Sequence, residues 1–259
     1  MTERTLIGRT DLQAQRAITV TRITAWALEH WIGLVLLVYG IVVFAPFFAP
    51  VFMHLGLVGP AQVIYFIYSF LCHQMAQRSF FMFGTQPMYT IAQLPLPLTG
   101  NAATDILALR AFIGNAELGW KVAWSDRMVS LYGGVWLTVL LFGWVRRRTV
   151  KKLGLVSTLL LLIPMAVDGG THFLSDLSGG LTSGFRYDNQ WLANLTQNAL
   201  PVWFYVGDAF GSFNSWMRLI SGLAFGFAVT WLTLPIVDQN LRETAQALRE
   251  KLAHSTAEA

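Results

Sequence analysis

Five long apolar stretches, residues 31–49, 61–83, 121–145, 153–173 and 214–237, alternate with polar segments along this chain. Each has roughly the 20-residue length at which a helix crosses the hydrocarbon of a bilayer. Pro46 and Pro50 end or kink the first. Ahead of it, residues 1–30 scatter Arg4, Arg9, Arg16 and Arg22 among Leu, Ile and Val, a mixture that suits a helix lying on the membrane surface. Two connections are long: 84–119, with Pro87, Pro95 and Pro97 and a short amphipathic piece, and 175–213, rich in Gly, Asn and aromatic residues. Connections of this length are often functional or lid-like. The tail, 238–259, reads as a solvated amphipathic helix, and no internal repeat is present. The pattern predicts an all-α polytopic transmembrane helix bundle of about five spans. It divides into a polar N-terminal segment (1–30), the bundle (31–237) and a C-terminal helix (238–259).

Composition supports this picture. The chain is 54% hydrophobic and 12% charged, where a soluble domain carries about a quarter charged residues. The net charge of +4 comes from basic residues at the ends of apolar runs. That placement is a topology signal and excludes a nucleic-acid footprint. A single cysteine excludes an intramolecular disulfide framework. No cleavable signal peptide is evident near the N-terminus, so the first span is expected to act as its own targeting signal. These features place the chain in the cell (inner, cytoplasmic) membrane as a multi-pass protein.

Arg146, Arg147, Arg148, Lys151 and Lys152 crowd the connection between the third and fourth stretches, which assigns that loop to the cytoplasm. The C-terminal tail follows to the same side. Five spans then put the N-terminus outside, in conflict with its four arginines; a segment that re-enters without crossing would remove the conflict.

With this topology four polar groups of residues fall on the extracytoplasmic side. They are Cys72, His73, Gln74 and Arg78; Ser125, Asp126 and Arg127; Asp168 and His172; and Asn214 and Arg218. An ionisable group at helix-centre depth costs roughly 2.5 to 3.5 kcal/mol unless it is paired or faces water, so these groups are expected to converge. Asp168 and His172 are four apart and share a helical face, with Gly169 and Gly170 leaving room beside them. Gln74 and Arg78 share a face in the same way if their segment is helical. Three arginines against two aspartates leave one positive charge. His30 and His54, beside interfacial aromatics, read as headgroup neighbours.

Three readings of the cluster remain open. The arginines and aspartates could serve only to specify helix register. The excess of arginine could hold an anionic or lipidic ligand, with Cys72, His73, Arg78, Asp126, Arg127, Asp168, His172, Asn214 and Arg218 around it. His73, Asp168 and His172 could ligate a divalent metal ion in a membrane-embedded enzyme. The phosphate-binding Gly-Lys loop, H-E-x-x-H, C-x-x-C-H and the nucleophile elbow are absent from the sequence.

C-H-Q-x-x-x-R-S-F at 72–80, K-V-A-W-S-D-R-x-x-x-x-Y-G-G at 121–134, P-M-A-V-D-G-G-T-H at 164–172 and N-S-W-M-R-L-I-S-G at 214–222 are four motifs in order. Together they resemble a prokaryotic polytopic membrane family catalogued as a domain of unknown function. The resemblance implies a membrane bundle and no particular activity. Two positions depart from the family pattern: Ser125 stands where a Cys is usual, and His172 where a Gln is common. The first departure argues against a two-cysteine metal or redox site. The partners expected are therefore the lipid bilayer, an anionic or lipid ligand and, alternatively, a larger membrane complex that this chain serves as an accessory subunit.

Overall fold

The computed structural model describes residues 3–146 and 150–257, the side chains of 3–12, 14, 102 and 255–257 excepted. Arg147 and Arg148 and the side chains of Arg4 and Arg9, used above for topology, lie outside the described part. The order of elements is α1 (Glu3–Glu29), α2 (Trp31–Phe44), α3 (Phe48–His54), α4 (Val58–Ser69), β1 (Ser79–Met82), α5 (Ala102–Ala111), β2 (Gly114–Asn115), β3 (Gly119–Ser125), α6 (Asp126–Val145), α7 (Leu155–Ser183), α8 (Phe185–Asp188), α9 (Gln190–Leu195), α10 (Val202–Tyr205) and α11 (Phe213–Ala257). The protein is a helical bundle, as the apolar pattern predicts. Among the described residues, four segments are long and apolar enough to cross a membrane: Trp31–His54, Asp126–Val145, Leu155–Ser183 and Phe213–His254.

The stretch 61–83 does not form the expected span. Its helix, α4, stops at Ser69, and its 12 residues reach only about 18 Å, short of the roughly 30 Å hydrocarbon layer. The chain then turns through Gln74, which has φ +51°, and forms a 3-10 turn at Ala76–Arg78. Gln74 and Arg78 therefore share no α-helical face. From Ser79 it continues as β1, which pairs antiparallel with β3 (Ser79 opposite Ser125, Phe81 opposite Lys121). β2 pairs with the other edge of β3, giving the order β1-β3-β2. Ser79 and Phe81 are buried while Phe80 and Met82 are less so, the two-residue alternation of a strand. The expected third span is likewise shortened at its start: 121–125 belong to β3, and the helix begins at Asp126. The sheet rests on α3 and α4, where Val122, Ala123 and Trp124 pack with Ala49, Met53, Ala61, Tyr65 and Tyr68. Irregular and extended backbone near a bilayer is tolerated where protein covers it.

α6 and α11 form the most extensive contact between elements. Its cause is a small-residue seam. Gly222 and Gly226 lie one turn apart on α11; a Cβ on Gly226 would stand 2.6 Å from the Val135 nitrogen, and one on Gly222 would stand 2.1 Å from Ser130 Oγ. Such residues let two helix backbones approach closely in a membrane. Ser130 Oγ donates across this seam to the Arg218 carbonyl at 2.9 Å. One turn beyond Ser130 and Gly222 are Asp126 and Arg218, so close packing of the seam brings that charged pair face to face.

At the other end of the bundle Asp238 accepts from Trp31 Nε1 at 3.0 Å and pairs with Arg242 at 2.7 Å and Arg146 at 3.6 Å. Arg146 also donates to the Glu29 carbonyl, and Arg249 pairs with Glu29. α1, the end of α6 and the α11 tail thus meet at one end, with α11 running through position 238 without a break. With these four candidate segments as the crossings, both termini fall on the same side, which removes the conflict that five created.

Candidate functional site

The polar residues gather at the end of the bundle opposite Asp238. Arg218, one turn beyond Asn214 on α11, is 1% exposed, so its charge requires partners on all sides. Its Nε lies 2.9 and 2.7 Å from the two oxygens of Asp126, and its Nη1 lies 2.7 Å from Asp208. The other Asp208 oxygen accepts from Arg78 Nε at 2.8 Å, while Arg78 reaches both oxygens of Asp176 at 3.0 and 3.1 Å. A second group centres on Asp168. One of its oxygens accepts from Arg127 at 2.7 Å and the other from Arg186 at 2.9 Å. Arg186 also donates to Asn214 and Thr171 and lies over the Phe213 ring.

The expected positive excess is corrected by these contacts. Asp176, Arg186 and Asp208 complete the set, giving four arginines (78, 127, 186, 218) against four aspartates (126, 168, 176, 208) in balance. Burial works against ionisation of Asp208, yet Arg78 and Arg218 hold its carboxyl well below the usual carboxylate range. Burial pulls the Arg186 guanidinium below its ordinary value, against the pull of Asp168. Asp176 was legible in principle, lying one turn beyond His172 on α7. Arg186 and Asp208 sit in the irregular connection between α7 and α11, where no helical period marks them.

Beside this network lies a cavity of about 640 Å³ between the 71–78 segment, the start of α6 and α7. Of the nine residues the sequence suggests, seven line it: Cys72, His73, Arg78, Asp126, Arg127, His172 and Arg218. Its remaining wall includes Leu71, Met75, Ile106, Met128, Phe173 and Leu177. α7 contributes Gly169, His172, Phe173, Asp176 and Leu177, the stripe of a single helical face. Asp168 instead lines a second cavity of about 560 Å³, mostly apolar, between α7 and α11. Asn214 lines neither; fully buried, it accepts from Arg186 and donates to the carbonyls of Arg186 and Gly207, fastening the connection to α11.

The three suggested metal ligands stand in different settings. His73 is exposed. Asp168 is occupied by Arg127 and Arg186, and His172 Nε2 faces Arg186 at 3.2 Å. Among the described residues no group of three or more His, Cys, Asp or Glu is arranged to hold a metal ion. Cys72 Sγ lies 3.4 Å from Ser125 Oγ and accepts from the backbone N–H of Gln74 and Ser125. Close by, the fully buried Lys121 donates to the carbonyls of Gln74 and Arg110, both at 2.7 Å. Burial pushes its amine down to about 7.

Residues 116–232 match a family described as predicted membrane protein (DUF2085). The chain is similar to a membrane family. That match covers Asp126, Asp168, His172, Arg186, Asp208 and Arg218 and begins after the 71–78 segment. An uncharacterized protein of Methanocaldococcus jannaschii is 26% identical over 188 residues, which cover 68% of this chain and 95% of the relative. No solved structure matches.

Proposed function

We propose that this integral membrane protein binds a small amphipathic ligand in the cavity between α6, α7 and the 71–78 segment. The observation that carries this reading is the cavity's mixed lining of charged and apolar side chains. Arg78, Asp126, Arg127, Asp176 and Arg218 share the wall with Leu71, Met75, Ile106, Met128, Phe173 and Leu177. A volume of about 640 Å³ falls within the range of small-molecule sites. Leu71, Phe173 and Leu177 are exposed at the rim, which suits entry from the bilayer rather than from bulk water. The basic loop after α6 argues that this end of the bundle faces away from the cytoplasm, so the ligand is met at the outer side of the cytoplasmic membrane.

Native mass spectrometry of protein extracted directly from the membrane into polymer-bounded lipid discs tests the proposal. Wild type should carry a small molecule that Met128→Trp, which fills the cavity, loses. Leu137→Trp, on the outer apolar face of α6, should retain it. Equal small-molecule content in the wild type and both variants would refute the proposal.

A further inference from the structure

The hydrogen-bond inventory of the cavity says what chemistry its ligand must bring. An arginine offers only donors and an aspartate only acceptors. Arg78 is engaged by Asp176 and Asp208, and Arg218 by Asp126 and Asp208. Arg127 is engaged differently. Its Nη2 bonds Asp168, but among the described residues Nη1 meets only the Met165 sulfur at 4.0 Å and Nε has no partner. Its guanidinium lies over α7 at Gly169, where a Cβ would stand 2.8 Å from Nη1.

One turn along the same face is His172, whose side chain is 6% exposed. Its Nε2 lies 3.2 Å from Arg186 Nη2, a nitrogen that can only donate, so Nε2 is the acceptor. The 3.7 Å separation from Asp168 is too long for a hydrogen bond. The neutral ring therefore carries its proton on Nδ1, and that buried N–H has no partner among the described residues. A buried donor left unmatched is destabilising. Arg127, with two nitrogens free of any carboxylate, and His172 thus both line a cavity whose lining carboxylates, Asp126 and Asp176, are already held by Arg218 and Arg78.

We infer, building on the cavity reading above, that the ligand carries an anionic oxygen headgroup, a carboxylate or a phosphate, on a hydrocarbon chain. The headgroup accepts from the free nitrogens of Arg127, with His172 beside it on the cavity wall, and the chain lies along Met75, Ile106, Met128 and Phe173. Because the arginines as a set are balanced by aspartates, the preference for an anion comes from the free nitrogens of Arg127 and not from net charge.

The test uses purified protein in discs of phosphatidylcholine, titrated with dodecanoate, dodecyl phosphate, dodecanol, dodecyltrimethylammonium and inorganic phosphate, with binding read by native mass spectrometry and thermal shift. At least one of the two anionic amphiphiles should bind about tenfold or more tightly than dodecanol, a difference of about 1.4 kcal/mol; which of them does so assigns the headgroup. Arg127→Gln should abolish that preference. Gly169→Ala should weaken it while leaving every charge in place, and, as a helix-favouring change, it should leave folding intact. Equal binding of dodecanol and the anions, or binding of inorganic phosphate alone, would overturn this inference while leaving Met128→Trp as the separate test of the cavity. If no probe binds and Met128→Trp changes nothing, both readings fail together.

Discussion

Lys121 illustrates how far a single residue's behaviour depends on neighbours distant in sequence. Read linearly it opens an apolar stretch; in the fold it is a buried strand residue whose amine joins Gln74 on one connection to Arg110 at the end of α5. A neutral amine has two N–H donors, which the two carbonyls match. Because its folded-state value of about 7 lies below the ordinary 10.5, the unfolded chain binds more protons between those values. Stability should consequently rise with pH across that window, and the penalty should be fully present below pH 7. In Lys121→Met the melting temperature should be lower overall, since two buried carbonyls lose a donor at about 1–3 kcal/mol each, and its rise from pH 7 to 10 should flatten. A wild-type profile that is flat over this range would show that the amine titrates normally. Asp168, His172 and Arg218 were legible as intramembrane ionisable residues because hydrocarbon penalises each of them. Asp208 and Arg186 carried no such signal, since an aspartate or arginine in a connection is ordinarily solvated.

Among the elements, the seam between α6 and α11 sets the site. Gly222 and Gly226 let the backbones touch, and Asp126 and Arg218 meet one turn further on. Gly226→Leu should force the helices apart, costing about 1–3 kcal/mol by overpacking and lowering the melting temperature in detergent. Gly133→Ala, with nothing within 4 Å of the new Cβ, should change it little. Equal melting temperatures for the two variants would remove the seam from the explanation. The four-residue spacing of Gly222 and Gly226 in an apolar run is visible in the sequence, although the partner helix is not. The stretch 61–83 misleads for a related reason. Its length and hydropathy suit a span, but the buried Gln74 side chain and the backbone from Ser79 onward find partners only once α4 and β3 are in place. Gln74 Nε2 donates to the Tyr65 carbonyl, and β1 pairs with β3.

For the molecule as a whole, α1 and the α11 tail meet at one end and the cavity lies at the other, an arrangement that four crossings by the candidate segments would place on opposite sides of the membrane. In a Cys72→Ser background, single cysteines replacing Gln13 and Gln246 should react with an impermeant maleimide from the same side of sealed vesicles, and one replacing Glu117 from the opposite side. Labelling of positions 13 and 246 from opposite sides would restore an odd number of crossings. Membrane residence, helical class and the gathering of ionic residues toward one end were dictated by the chain alone, because transfer free energy is summed locally, residue by residue, over each apolar run. The break of the 61–83 stretch into a short helix and a strand, the balance of four arginines with four aspartates and the unmatched donors of Arg127 and His172 were settled only by the folded arrangement. Each depends on which distant groups share a hydrogen bond, and pairing of that kind is a property of three-dimensional proximity that no local pattern encodes.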